Sequence, residues 1–402
     1  MKIRFVCNID IDLKSPKLKE ISDNFCKVLQ IITAQFFQQV ILEFANHYMF
    51  QRIKPFSCDK CGNNHQFIWK TRYGKKTSLL TIFGSLNLFQ LQVQCKNCGH
   101  KMYLTRKFLG VAPRKRIPLD TIRKLGMIGA LTTFRVAKKI VGMFGVVLDK
   151  MTVWHSVQKL SEEIELGLDP EECESGEADG TGIPIRGIKK RGKEMKVFVQ
   201  LKKKGGVRIA GLSIGNYDSG WDRLFKPLIP DLRCFKKFLL VTDGDTSILK
   251  GLGNKVKVLF QRCLWHIPHQ FKWYLWKDGV KRKSEEWVNA LSQLIEISNI
   301  KSLQHDKECV EDIIFIKTEK LNNLVMFCEK NGWKHCTSYL QNAKPDMFTS
   351  LSNKLNGKTT SHVERVMKNI NMRINVGKWS PQGALNVNKI RLAHYYNGFD
   401  VD

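Results

Sequence analysis

Cys58-Asp-Lys-Cys61-Gly62 and Cys95-Lys-Asn-Cys98-Gly99 repeat one pattern, a Cys-x2-Cys pair closed by glycine. The glycine permits a tight turn whose backbone amides support the thiolates while both sulfurs face one ion. Two such knuckles supply a tetrahedral zinc site of four thiolates. The runs between them, QFIWKTR, TSLLTIF and LNLFQLQVQ, read as short strands that bring the pairs together, as in a zinc ribbon over 55–110. Four thiolates leave no open position for water, so one structural Zn²⁺ is expected, with His65 and His100 as substitute ligands. Lys60, Lys70, Arg72, Lys75, Lys76, Lys96, Lys101, Arg106 and Lys107, with the tract Arg114-Lys115-Arg116, offer phosphate contacts from this module.

Charge says what such a module is for. The 402 residues carry 66 Lys plus Arg against 37 Asp plus Glu, a formal net charge of +29, so a polyanionic partner is expected. With 43% hydrophobic residues the chain still folds, and at about 150 residues per domain it holds two to four domains. No uninterrupted apolar run reaches the roughly 18–20 residues of a bilayer span, because the longest, Val28 to Leu42, contains four glutamines. No membrane partner is expected. The start MKIRFVCNIDIDLK lacks a secretory pattern, which places the twelve cysteines in a reducing compartment as thiols or metal ligands. In the N-terminal segment, 1–54, Phe25, Leu29, Ile32, Phe36, Val40 and Phe44 recur at spacings of three and four. They predict a long helix over 23–52, serving the core or oligomerisation.

Helical spacing returns over 118–166 and predicts three short helices. Within the region 111–172, Thr133 to Gly145, then VVLDK, then Thr152 to Leu160 read as helix, glycine turn, helix, with Thr152 as the second N-cap. That is the rhythm of a helix-turn-helix, and a plain helical hairpin fits it too; the basic module beside it favours DNA. A second helix in the major groove makes Thr152, Trp154, His155, Gln158 and Lys159 the candidate readers or phosphate contacts, with Arg135, Lys138 and Lys139 on the helix before.

Beyond 173 the pattern is α/β: EMKVFVQLKK, GVRIAGLSIG, KKFLLVTDG and KVKVLFQ read as strands, with a helix over 219–228 before the third. Over 265–355 it is helical, with Trp273, Trp276, Trp287 and Trp333 as expected packing anchors, and a last segment covers 356–402. Three carboxylates stand where nuclease chemistry needs them: Asp179 on the first strand, Asp243 at the end of an apolar strand, and Glu364 in a late helix. Phosphodiester cleavage in water needs a nucleophile near neutral pH and charge relief on the leaving oxygen, which two Mg²⁺ or Mn²⁺ ions roughly 4 Å apart supply to oxygen ligands. Glu177 shares a strand face with Asp179, and Asp245 competes with Asp243.

With these residues in view, the chain resembles the DDE transposases with an RNase H-like core, in particular the Mutator-like group and related prokaryotic insertion-sequence transposases. Val241-Thr-Asp243-Gly244 followed by Gln261-Arg262-Cys263-Leu-Trp-His266 is similar to that group's second Asp and its CxxH motif. The segment from Thr360 to Arg373, with Glu364, and then Gly377-Lys-Trp379-Ser is similar to its Glu helix. The resemblance covers roughly 176–397. It implies a multidomain α/β chain: N-terminal helix, zinc ribbon, helix-turn-helix, then an RNase H-like mixed-sheet core over 173–264 and 356–402, interrupted by an all-α insertion at 265–355. It also implies that Asp179, Asp243 and Glu364 hold two Mg²⁺ or Mn²⁺ ions.

Cys263 and His266, in this likeness, brace the second Asp or handle unpaired DNA, with Trp265 stacking on a base. A packed core cluster, or a second metal site that includes His269, fits the same spacing. Lys368, Arg373 and Lys378 can hold phosphates near Glu364. Double-stranded DNA, as element ends and target, is the expected partner, bound by a homodimer or larger assembly. The expected location is the cytoplasm, on the nucleoid, in a prokaryote and the nucleus in a eukaryote. A zinc-dependent DNA-binding regulator, a domesticated inactive transposase and an RNase H-like repair nuclease are the competing readings.

Overall fold

The computed structural model describes residues 4–7, 18–50, 57–64, 66–112, 114–171, 173–188, 193–253, 256–300, 309–355, 357 and 359–401. The chain divides into two units, Met1–Glu163 with Asp400–Asp402, and Ile164–Phe399. His65 lies outside the described residues.

The first unit opens with α1 (Leu18–Phe50). Its buried line is Ile41 and Ala45, flanked by Ala34, Phe37 and Leu42, whereas Phe25, Leu29, Phe36 and Phe44 of the expected stripe are exposed. The chain comes close to this helix at Gly84, where a Cβ would lie 2.6 Å from Gln30 Nε2. Gln38 Oε1 accepts the Phe89 amide at 2.6 Å, and Gln30 Nε2 donates to the Gly145 carbonyl at 3.0 Å. Its segment Lys27–His47, with mean hydropathy 1.3, is long and apolar enough to cross a membrane by length and composition alone. The glutamines noted in the sequence did not remove that property.

The strands β1 (Phe67–Thr71), β2 (Lys76–Thr81), β3 (Gly84–Phe89), β4 (Gln92–Cys95) and β5 (Lys101–Tyr103) form an antiparallel sheet in the order β1-β4-β5 and a separate β2-β3 hairpin. Leu79, Leu86, Leu88, Leu91 and Val93 alternate inward and form one core with Cys58, Cys95 and the α1 line. After α2 (Leu104–Phe108) come α3 (Leu119–Leu131), α4 (Phe134–Met143) and α5 (Lys150–Glu162). Gly129 permits the close crossing of α3 and α5, since a Cβ there would lie 2.5 Å from Val153. Thr133 caps α4. The cap of α5 is Asp149, which accepts the Met151 amide at 2.8 Å, so Thr152 sits inside the first turn and is not the cap expected from the sequence.

The second unit is mixed α/β. Strands β6 (Cys173–Ile183), β7 (Lys193–Lys202) and β8 (Val207–Gly215) run antiparallel; then come α6 (Tyr217–Phe225), α7 (Ile229–Arg233), β9 (Leu239–Thr242), α8 (Thr246–Leu252) and β10 (Leu259–Arg262). The sheet order is β10-β9-β6-β7-β8, with β9 parallel to both β6 and β10. On one face Ala178, Phe198, Trp221, Phe225 and Leu240 form a core.

Helices α9 (His266–Lys277), α10 (Glu285–Ser298), α11 (Cys309–Lys330), α12 (Lys334–Ala343) and α13 (Thr349–Ser352) follow β10 and share their own core. Ile267, Phe271 and Leu275 are the inward line of α9, one turn apart, which leaves Trp273 and Trp276 at 50% and 68% exposure and not the anchors expected of them. Trp333 is buried and Trp287 partly so. Then α14 (Ser361–Ile374) packs on β6, and α15 (Pro381–Asn397) packs on β8.

Candidate metal centres

In the first unit the two knuckles are built alike. Gly62 N donates to the Cys58 carbonyl and Gly99 N to the Cys95 carbonyl, each at 2.9 Å, and both glycines take positive φ, +70° and +71°. Cys58 Sγ lies 3.5 Å from Cys98 Sγ, and Cys61 Sγ lies 3.7 Å from Cys95 Sγ. All four sulfurs fall within 4.8 Å of one another. A tetrahedron with Zn–S of about 2.3 Å has edges of about 3.8 Å, so the donor set fits zinc. Four clustered thiols cannot all ionise without a cation. Cys61 is pulled down to about 6, chiefly by the Asn63 amide. Cys98, against the pull of the His100 amide, is pushed up to about 12 by burial and the sulfurs around it.

In the second unit, Asp179 stands within β6 just past the stretch that pairs with β9, and Asp243 directly follows the carboxyl end of the parallel strand β9. Glu177 of β6 pairs with Val241 of β9, so two residues on, Asp179 comes opposite Asp243. Glu364 arrives from the first turn of α14. A carboxylate oxygen of Asp179, one of Glu364 and a ring nitrogen of His266 lie within 4.8 Å of one another. The third member of this tightest cluster is therefore His266, while Asp243 lies beside it, its Oδ1 accepting the Asp245 amide at 2.9 Å. Burial, then Asp243, then Glu364 push Asp179 up to about 7. Burial opposes a charge on His266, but the Cys263 thiol and the carboxylates outweigh it and raise the imidazole to about 9. The imidazolium thus supplies positive charge to a site rich in carboxylates, with Nε2 3.2 Å from Glu364 Oε1.

The rivals noted in the sequence have other tasks. Asp245 caps α8, accepting the Ser247 amide at 2.9 Å and its hydroxyl at 2.7 Å. Glu177, 1% exposed, accepts the His362 and Val363 amides at 2.9 and 2.7 Å and meets His362 Nδ1 at 2.9 Å. A buried carboxylate here holds the amide end of α14, where the helix dipole favours negative charge. Two residues beyond Asp179 on the same face, Thr181 exchanges hydrogen bonds with Asn371 at 3.1 and 3.3 Å. Asp179 therefore sits between two attachments that fix α14, and with it Glu364. Sequence reading missed these roles, although the shared strand face of Glu177 and Asp179 was their signal.

Cys263 is buried. Its Sγ accepts from the Thr360 amide and hydroxyl at 3.2 and 3.3 Å, and the same hydroxyl lies 3.2 Å from His266 Nδ1. The Cys263–His266 pair thus ties the turn after β10 to the start of α14. His269 stays outside the cluster, its ring against Trp265 with centroids 4.0 Å apart. Trp265, half exposed, lines a cavity of about 450 Å³ with Cys263, Thr360, Glu364, Arg365 and Lys368.

Among the DNA-contact candidates, Arg135, Lys138, Lys139, His155, Lys159 and Lys378 are exposed, and Thr152, Trp154 and Gln158 of α5 are half-buried. Lys159 is held by Glu162 at 2.6 Å. Arg373 is not the open phosphate contact expected. It shares the inward face of α14 with Val366 and Ile370, is buried, and lies over the Trp379 ring at 4.8 Å. Burial, then Arg391, lower it to about 10.

The class defined so far is a basic chain with a four-cysteine, zinc-ribbon-like module in one unit and an acidic centre on a mixed sheet in the other. No protein-family model matches the chain, and no curated protein matches it.

Proposed function

We propose that the protein is a DDE-type DNA transposase, which binds the ends of its mobile element and performs metal-dependent strand cleavage and strand transfer. The observation that carries this reading is the convergence of Asp179, on β6, and Asp243, directly after the adjacent parallel strand β9, with Glu364 on a helix clamped to β6. The sheet order, with three antiparallel strands followed by two parallel ones, supports an RNase H-like core.

Asp179, Asp243 and Glu364 would hold two Mg²⁺ or Mn²⁺ ions, which when bound generate a nucleophile near neutral pH and relieve charge on the leaving oxygen. Oxygen donors suit both ions. Glu177 and the Thr181–Asn371 pair fix the height of Glu364 against Asp179, and His266 orients the Glu364 carboxylate. Gln270 Nε2 donates to the Asp243 carbonyl at 3.2 Å and steadies the turn after β9. Arg365 and Lys368, which line the cavity beside Glu364, are the cations to receive a phosphate there. The α4–α5 pair serves as a helix-turn-helix for duplex DNA, and a dimer or larger assembly brings two ends together.

The test incubates purified protein with labelled duplexes carrying the DNA that flanks the gene, in Mg²⁺ or Mn²⁺, beside Glu364→Gln. Nicking and strand joining at the element boundary, lost in the variant, are expected. Binding without cleavage by either protein would replace the proposal with a zinc-dependent DNA-binding regulator.

A further inference from the structure

Beneath the ribbon sheet lies a cleft of about 940 Å³ formed wholly within the first unit. In the β4–β5 register Gln92 faces Tyr103 and Gln94 faces Lys101, so one face of the sheet carries amides, a cation and an aromatic ring side by side. Tyr103, 52% exposed, and Lys101 line the cleft from β5, Lys75 and Lys76 line it from the start of the hairpin, and Arg114 lines it from the segment after α2. Arg114 takes φ +62°, a left-handed conformation uncommon for a residue with a side chain.

Counter-charge is scarce in the cleft. Its one acidic lining residue among those described, Asp59, is already held by Lys107 at 2.7 Å, and Arg106 donates to the Lys115 carbonyl at 3.1 Å. Four cations, Lys75, Lys76, Lys101 and Arg114, therefore share a small space with no carboxylate of their own, an arrangement relieved by a polyanion. The cleft measures roughly 10 Å on a side if taken as a cube, too narrow to enclose a duplex whose major groove alone is about 12 Å wide. An exposed aromatic among cations is the pairing that holds a single strand, the phosphates on the cations and a base on the ring.

We propose that this cleft binds a single nucleic-acid strand, with its phosphodiesters on Lys75, Lys76, Lys101 and Arg114 and a base against Tyr103. It rests on the reading of the protein as one that handles DNA, and supplies a site for strand separated from its complement during that work. The cleft needs no ion at the acidic centre, so its test can fail while the cleavage reading stands, and the reverse.

The experiment is fluorescence anisotropy of the full chain with a labelled single-stranded oligothymidylate of about twenty nucleotides, and with a duplex of equal length. The buffer has no added divalent cation and no chelator, and zinc content checks the fold of each variant. Lys75→Ala/Lys101→Ala/Arg114→Ala is expected to lose at least about tenfold in single-strand affinity and to flatten the log–log salt slope by about 2. Tyr103→Ala is expected to lose about fivefold or more on the single strand and little on the duplex. Should the triple variant not fold, Lys101→Glu alone carries the same expectation in smaller measure. Unchanged single-strand affinity in the charge variants would overturn the proposal. So would equal losses on both DNAs with Tyr103→Ala neutral, which would mean a clamp on duplex phosphates.

Discussion

Replacing Asp179 with Asn is expected to stabilise the metal-free protein at alkaline pH, opposite to the usual direction of a core substitution. Asp179 is raised to about 7 from an ordinary 3.8, first by burial and then by Asp243 and Glu364. A carboxyl whose folded pKa is raised binds more protons folded than unfolded, so stability falls as pH rises from 3.8 through 7. At 1.36 kcal/mol per unit the full penalty is about 4 kcal/mol, of which about 2 is already present at pH 5, leaving about 2–3 kcal/mol between pH 5 and pH 8.

Asn removes that titration while its own oxygen still accepts the Gly180 amide, which Asp179 Oδ1 receives at 2.7 Å. The attraction between the Asp179 carboxylate and His266 is already contained in the value of about 7, because it opposes the rise. The assay is urea and thermal unfolding of wild type and Asp179→Asn at both pH values without added Mg²⁺ or Mn²⁺. Relative to wild type, the variant should gain about 2 kcal/mol on going from pH 5 to pH 8, or about 4–8 °C in Tm. A difference between the two proteins that does not change with pH would refute the reasoning.

The same titrations make divalent binding pH-dependent. Mn²⁺ affinity should climb from pH 5 to about 7, where Asp179 loses its proton, with proton release seen as buffer-dependent heat in calorimetry. Affinity that is flat over that range would count against the shift. Glu177→Ala should destabilise the fold by about 2–5 kcal/mol in urea unfolding, since it leaves two α14 amides without their acceptor and takes away the partner of the half-exposed His362. Because Glu177 raises His362, that contact stabilises most at low pH and fades as pH rises through the raised value, so the loss should be larger near pH 6 than near pH 9. Cys58→Ser should lower zinc from about one per chain toward zero and unfold the ribbon core that Cys58 shares with Leu86 and Ile41; retained zinc would contradict the four-sulfur site.

Much of the architecture was legible because it follows from period and punctuation. Cys-x2-Cys-Gly fixed the knuckles, and apolar runs fixed β7 to β10 within a few residues. Amphipathic detail was less legible. The periodicity of α1 gave its existence but not its buried side, which its packing on the ribbon core through Ile41 and Ala45 sets, and Trp273 and Trp276 were misplaced because α9 already had Ile267, Phe271 and Leu275 to bury. At the acidic centre, position on strand and helix, together with the motifs of the resemblance, singled out Asp179, Asp243 and Glu364. The division of labour with Glu177 and Asp245 required knowing which backbone amides lay nearby, a tertiary fact. Arg373 shows the same limit: a cation in sequence becomes a core residue once the helix is turned by its neighbours.

The proposed function stands on three carboxylates distant in sequence, Asp179, Asp243 and Glu364, acting as one divalent-metal centre. Titrating Mn²⁺ into the wild type, Asp243→Asn and Glu364→Gln by calorimetry at about pH 8, above the raised Asp179 value, tests it most directly. Binding in the wild type is expected to be lost or weakened at least about tenfold in each variant, with the ribbon zinc unchanged. Superimposable isotherms for all three proteins would contradict it.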